Sequence, residues 1–217
     1  MKNFVFFDVD NVLVQGQSQK LLVKYLYDKN KINIFLLIKV YIWFLLYRCH
    51  LVKDVIAIRN KSFSAFKGWS FEEAKYLFDD FYEKIIRPKL FLESIKIIEE
   101  HIVNGDEVIL LSATLSEIVD RIKDSIGVRY SISTELEVRD GKYTGNISGM
   151  VPYGENKLLM MKSFLQDKDI DKSNVFAYAD HSSDIHILEF STNPKVVNPD
   201  KKLRKIALKR KWPIYDF

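Results

Sequence analysis

Four aspartates dominate the chemistry this sequence could perform. Asp8 and Asp10 stand two apart where one short apolar run ends, and Asp180 and Asp184 stand four apart at the end of another. As the chain turns away from a strand end, Asp8 and Asp10 can both point to the same side. Carboxylates this close repel one another and need a cation or a shared proton. Four oxygen donors with no Cys nearby suit a hard ion, of which Mg²⁺ is the commonest, and Mg²⁺ keeps waters and a substrate phosphate in its shell. Other residues suit the phosphate itself. Ser112 can donate a hydroxyl hydrogen bond, and the amides of Ala113 and Thr114 are expected at a helix N-terminus, where anions are favoured. Lys157, in Gly154-Glu155-Asn156-Lys157, offers a point charge for a phosphoryl oxygen. His181 and His186 flank Asp184, but a transition-metal site would want a third His or a Cys beside them. His50 and His101 have no partner that the sequence names.

The elements that must position these residues follow from the pattern. Phe4–Phe7 is a uniformly apolar, β-prone run of the kind covered on both faces of a sheet. From about Ser18 to Leu90 the pattern is helical, with Ser70 and Glu73 spaced for a capping box. Residues 91–103 read as a helix closed by Asn104-Gly105. Val108–Leu111 reads as a second buried strand, followed by a helix that Thr114 and Glu117 would cap. Residues 130–149 alternate around Asp140-Gly141, a strong hairpin signal. A helix over 155–166, a third buried strand over Val175–Ala179, a fourth over Lys195–Val197 and a basic C-terminal helix complete the chain.

Strands alternating with helices predict an α/β fold with a doubly wound parallel sheet, in which ligands bind at the carboxyl ends of the strands. Three strands are expected to end on Asp8, Ser112 and Asp180. The helical block after the first strand is too long for a simple crossover and reads as an inserted helical cap. The expected division is a core of residues 1–16 and 88–217 with a cap of residues 17–87.

Composition supports a folded globular chain. Of 217 residues 47% are hydrophobic and 29% charged, which excludes a disordered tail, a collagen-like repeat or a multi-pass membrane protein. A net charge of +4 is too small to argue for nucleic acid. The single Cys49 excludes an internal disulfide framework and a Cys-based zinc site. It favours a reducing compartment, and the absence of a signal-like N-terminus agrees with a cytoplasmic protein.

Phe7-Asp8-Val9-Asp10-Asn11-Val12-Leu13 resembles the first motif of the haloacid dehalogenase (HAD) superfamily, and Leu110-Leu111-Ser112-Ala113-Thr114 its second. Lys157 resembles the third, and Asp180-His181-Ser182-Ser183-Asp184 the fourth, with His181 where a small residue is more usual. All four stand in order and span nearly the whole chain. A cap between the first two motifs, and the ending Val197-Asn198-Pro199-Asp200 through Trp212-Pro213, are similar to subclass IB, which includes the phosphoserine phosphatases. The resemblance implies a Mg²⁺-dependent phosphatase acting on a small phosphorylated substrate. Asp8 would be the nucleophile that forms an aspartyl-phosphate. Asp10 would be the general acid and base. Ser112, Ala113 and Lys157 would hold the phosphoryl oxygens. Asp180, with Asp8 and the backbone carbonyl of Asp10, would ligate the metal, and Asp184 would act on it directly or through water. Relatives of this kind carry an acidic residue shortly after the first motif to receive the substrate's ammonium. Here the stretch is Gln15-Gly16-Gln17, with no carboxylate until Asp28.

Ile32–Tyr47 is almost continuously apolar yet short of the roughly 20 residues that span a bilayer. Lys29, Lys31, Arg48 and Lys53 flank it as they would an interfacial helix. The preferred reading is a cap helix packed against its neighbours or a homodimer partner. Membrane contact is the alternative, and with it a lipid-linked phosphomonoester of the lysophosphatidate or phosphatidylglycerophosphate type. The basic C-terminal helix is expected to be a solvated amphipathic helix. A receiver-like phospho-acceptor domain would share the Asp, Ser and Lys pattern, but such domains are shorter and carry no large cap.

Overall fold

The computed structural model describes residues 2–48, 63–166, 168 and 174–217. Cys49, His50 and Lys53 lie outside the described residues. One seven-stranded sheet runs through the chain in the order β4-β3-β2-β1-β5-β6-β7. Its strands are β1 (Phe4–Phe7), β2 (Glu107–Leu115), β3 (Tyr130–Arg139), β4 (Lys142–Ser148), β5 (Val175–Ala179), β6 (Asn193–Val197) and β7 (Ile214–Tyr215). All neighbouring pairs are parallel except β3 and β4, whose antiparallel hairpin places β4 on the edge.

β1 lies in the middle because every residue in it is buried and can face apolar layers on both sides. Val5 and Phe7 join a core with Val108, Leu110 and Ile98 on one face. Phe4 and Phe6 join Ile109, Leu111, Val175 and Met161 on the other. The chain leaves β1 toward β2 and β3, then returns to add β5 and β6 on the opposite flank. The strand order therefore reverses at β1, and the crevice at its carboxyl end is where such sheets bind ligands.

Between β1 and β2 the chain forms α1 (Ser18–Asp28), α2 (Ile34–Arg48), α3 (Phe71–Phe81) and α4 (Leu92–Val103). α3 starts on the expected capping box, with both the Ser70 and the Glu73 bonds present. α4 ends at Asn104, and Gly105 follows with φ +80°, a conformation that favours glycine. The inserted segment is tied down at two places. At its root, the Gln15 amide donates to the Lys89 carbonyl (2.8 Å) and the Phe91 amide to the Leu13 carbonyl (2.9 Å). At its far end, the Gly68 amide donates to the Tyr143 carbonyl (2.8 Å) and the Tyr143 amide to the Trp69 carbonyl (2.9 Å), joining it to β4. The hairpin turns on Asp140 and Gly141, whose φ values of +50° and +72° match the tight turn expected.

After β2, the α-helices among the described residues are α5 (Ser116–Ser125), α6 (Glu155–Leu165), α7 (Ile185–Phe190) and α8 (Lys201–Arg210). Two local expectations fail together at the end of β2. The strand does not stop at Ser112 but runs on to Leu115, with an irregularity in its pairing to β3 between Leu111 and Leu115. The helix begins at Ser116 with no side-chain cap, so Thr114 and Glu117 form no capping pair. The reason is a competing partner: the Thr114 hydroxyl lies 2.7 Å from that of Ser18, at the start of α1. The amides of Ala113 and Thr114 accordingly belong to the strand end and not to a helix terminus.

Candidate active site

The sheet brings the predicted acids together. Asp8 follows β1, Asp180 follows β5, and Phe7 stands in register with Tyr178 on the adjacent strand. Phe7 and Tyr178, the residues one and two before the aspartates, also stack at 3.9 Å between ring centres. Asp184 ends a single helical turn (Ser182–Asp184) that leads into α7. Asp8, Asp180 and Asp184 each bring one carboxylate oxygen within 4.8 Å of the others, and all three are buried.

Lys157, from the first turn of α6, is fully enclosed, and its Nζ lies 2.9 Å from both Asp8 Oδ2 and Asp184 Oδ2. Three carboxylates against one ammonium leave two negative charges in a buried pocket. Burial, then the neighbouring charges of Asp8 and Asp184, push the Asp180 carboxyl well above its ordinary range. Burial likewise pushes Asp184 up, against the pull of Lys157. Burial alone would lower Lys157, yet Asp184 and Asp8 hold it above the usual lysine range. The group resists full ionisation by itself, and a divalent cation would relieve it. An all-oxygen donor set fits Mg²⁺.

Asp10 is placed differently. Its carboxylate is not one of the trio. Its Oδ1 accepts the Ser18 amide at 2.9 Å, so the half-buried Asp10 satisfies the start of α1. Ser112 is buried within β2, two residues past the Leu110 that pairs with Phe7, and its Oγ accepts the Thr114 amide at 3.3 Å. The Ala113 carbonyl accepts from Thr134 Oγ1 at 2.8 Å, fixing the irregular stretch of β2 against β3.

Two residues that sequence reasoning did not single out complete the frame. Asn11 has φ +56°, and its Nδ2 donates to Asp180 Oδ2 at 2.9 Å. Asn tolerates left-handed backbone better than most residues, and that was the available signal in the tight turn after Asp10. Asp200 caps α8 by accepting the Leu203 amide (2.7 Å) and also accepts the Ser182 amide (2.7 Å). Its own amide donates to the Asp180 carbonyl at 2.9 Å. Burial works against its charge, but the two amides hold its carboxyl below the ordinary value. His181 turns toward Ser183 (3.0 Å) and Asp200 (3.4 Å). His101, on α4, lies between Asp106 (2.7 Å) and the Tyr178 hydroxyl (3.0 Å), beneath the sheet residues that carry the acids.

Beside this pocket, Ser18, Gln19, Leu22 and Phe63 face Ala113, Thr114, Leu115 and Ile118 across a gap of about 10 Å³, room for little more than one water. Among the described residues, the buried Gln19 Nε2 finds no hydrogen-bond partner.

An open α/β sheet with an acidic, lysine-braced crevice at its switch point is the frame of an enzyme whose acids could hold a divalent ion, and comparison with known proteins names the class. The family model of the haloacid dehalogenase-like hydrolases matches residues 5–189. The chain belongs to that family. It is 30% identical to a phosphoserine phosphatase of Mycobacterium tuberculosis over 217 residues, covering 98% of this chain and 70% of the relative. It is 26% identical to a histidinol-phosphatase of Neisseria meningitidis, covering all of both chains. A crystal structure of a Bordetella pertussis protein of unknown function superposes with a TM-score of 0.89, at 24% identity, over 100% of this chain and 99% of that one. The protein is thus a phosphoric monoester hydrolase, and the receiver-like signalling alternative falls.

Proposed function

We propose that the chain is a Mg²⁺-dependent phosphomonoesterase that works through an aspartyl-phosphate, with residues 17–87 as a cap over a core of residues 1–16 and 88–217. The observation that supports it best is the buried trio Asp8, Asp180 and Asp184 braced by Lys157. In this reading a carboxylate oxygen of Asp8 attacks phosphorus, forming an acyl phosphate as the bond to the leaving alcohol oxygen breaks. Asp10 gives that oxygen its proton, then takes one from the water that attacks the acyl phosphate, releasing inorganic phosphate and restoring Asp8. The Ser18 amide keeps Asp10 aimed at the crevice between the two steps. Lys157, the Ser112 hydroxyl and the Ala113 amide receive the phosphoryl oxygens. Asp8, Asp180, Asp184 and the Asp10 carbonyl would hold Mg²⁺, which would neutralise charge on the phosphoryl group.

The relatives' names, phosphoserine phosphatase and histidinol-phosphatase, differ in leaving group, so family membership does not fix the substrate. Here the gap offers the neutral Gln19 among apolar neighbours. Asp28, the first carboxylate after Asp10, is at the far end of α1 and paired with Lys24 at 2.7 Å. An unpartnered amide donor at the edge of the crevice, with no carboxylate among its neighbours, favours a leaving group with an acceptor oxygen over one with an ammonium. A lipid-linked phosphomonoester is the second reading, supported by the apolar surface that α2 exposes.

The test is Mg²⁺-dependent phosphate release across phosphoserine, sugar phosphates, nucleotides, lysophosphatidate and phosphatidylglycerophosphate, with acid-quench trapping of phosphorylated protein. Asp8→Asn should be silent on every substrate and trap nothing. Release that survives Asp8→Asn overturns the assignment.

A further inference from the structure

α2 does not behave as a cap helix enclosed by its neighbours. Val40 is buried, Leu36 and Leu37 are half-buried, and this side faces α1. The stripe Phe35, Ile38, Ile42 and Leu45, spaced to lie along one helix face, is exposed, with Phe35 at 78% and Leu45 at 63%. Ile34, Tyr41 and Leu46 widen it. An apolar face this continuous is far from the scattered single residues ordinary on a surface.

The charge around it is equally uneven. Residues 18–48 hold six Lys and Arg against one Asp, a net +5, while the whole chain is only +4. Lys24 and Lys29 have carboxylate partners in Asp28 and Asp80. Among the described residues Lys20, Lys31 and Lys39 form no ion pair, and Lys20 Nζ sits 5.0 Å from the centre of the Tyr41 ring, on the fringe of the stripe. A water-soluble protein partner could match the apolar stripe, but the positive surround selects a negative surface.

We infer that α2, with Lys20, Lys31 and Lys39, docks the protein on an anionic lipid surface. The helix lies in the interface without crossing it: fifteen residues make about 22 Å, short of the ~30 Å hydrocarbon core. Among the described residues no helix is long and apolar enough to span a membrane. Apolar side chains enter the acyl boundary while the lysines meet anionic headgroups, the arrangement of interfacial helices. The inference uses no catalytic residue, so it stands or falls apart from the proposed reaction.

The experiment is co-sedimentation of the full chain with phosphatidylcholine vesicles, with and without phosphatidylglycerol, alongside hydrolysis of soluble p-nitrophenyl phosphate. Binding is expected only with phosphatidylglycerol and should weaken as salt rises. Phe35→Ser with Leu45→Ser should reduce it by at least about tenfold. Lys31→Glu with Lys39→Glu should reduce it by about fivefold or more for each charge. Hydrolysis of the soluble ester should not change in either variant. Binding to neutral vesicles as strong as to anionic ones, no binding to either, or binding that both variants retain overturns the inference. So does a concentration-dependent dimer that the Phe35→Ser and Leu45→Ser pair abolishes, because the stripe would then serve a second copy of the chain.

Discussion

The crevice at the end of β1 and the outer face of α2 break the ordinary rules of burial in opposite directions. In the crevice, charged groups are buried, yet each has partners: Lys157 braces two carboxylates and Asn11 a third. On α2, apolar groups are exposed, and Lys20, Lys31 and Lys39 beside them form no ion pair among the described residues. Buried charge is costly unless paired, and exposed apolar surface is unfavourable unless covered. The crevice meets most of its cost within the fold, leaving a surplus that a small cation can satisfy. The helix leaves its cost unmet, which a small ligand could not do and an extended surface could.

Substitutions that separate the two regions test this contrast. The largest effect belongs to Asp8→Asn, which should lower turnover by about 10⁴-fold or more in a phosphate-release assay while the fold persists. Lys157→Met comes next, with about 10²–10³-fold lost in rate. It also leaves the buried carboxylates without their cation, so melting should fall by several degrees in a chelator and recover more strongly with Mg²⁺ than in the parent. A variant that melts like the parent in a chelator would mean the trio needs no counter-charge.

Gln19→Leu removes the unpartnered donor in the gap and should change kcat/KM by about tenfold on the preferred substrate, mostly through KM, with p-nitrophenyl phosphate barely affected. Equal effects on both esters would place Gln19 outside specificity. Glu117 gives a smaller, pH-dependent effect. Burial raises its carboxyl in the fold, so its ionisation subtracts stability as pH climbs past the ordinary carboxylate value. Glu117→Gln should therefore raise the melting temperature at pH 8 and change little at pH 4; a shift equal at both would exclude that origin. The smallest effect is Phe35→Ser, within about 0.5 kcal/mol in denaturant unfolding because its ring is in water already. A loss like that of a core phenylalanine would show that α2 is covered in solution.

The acidic crevice was largely legible in the sequence, because strands of four or five apolar residues end on aspartates and parallel packing leaves few places for such ends to go. The capping box at Ser70 was equally local and formed as expected. The end of β2 was not legible. Thr114 and Glu117 have the right spacing for a cap, but Ser18, nearly a hundred residues earlier, holds the Thr114 hydroxyl. Asp200 looks like a helix cap and nothing more until the fold sets Ser182 and Asp180 against it. α2 reads as apolar throughout, and composition alone does not say which side a neighbour covers. Its expected packing holds only on the side of Val40.

The two sets of backbone ties on the inserted segment have a mechanical meaning. A lid hinged at one end swings freely, but this segment is fastened both at its root, near Leu13 and Lys89, and at its tip, where residues 68–71 grip the β3–β4 hairpin. The segment is thus held at two separate points and not at its root alone. Between the two anchors lie α1 and α2, the same span that carries the positive charge and the apolar stripe.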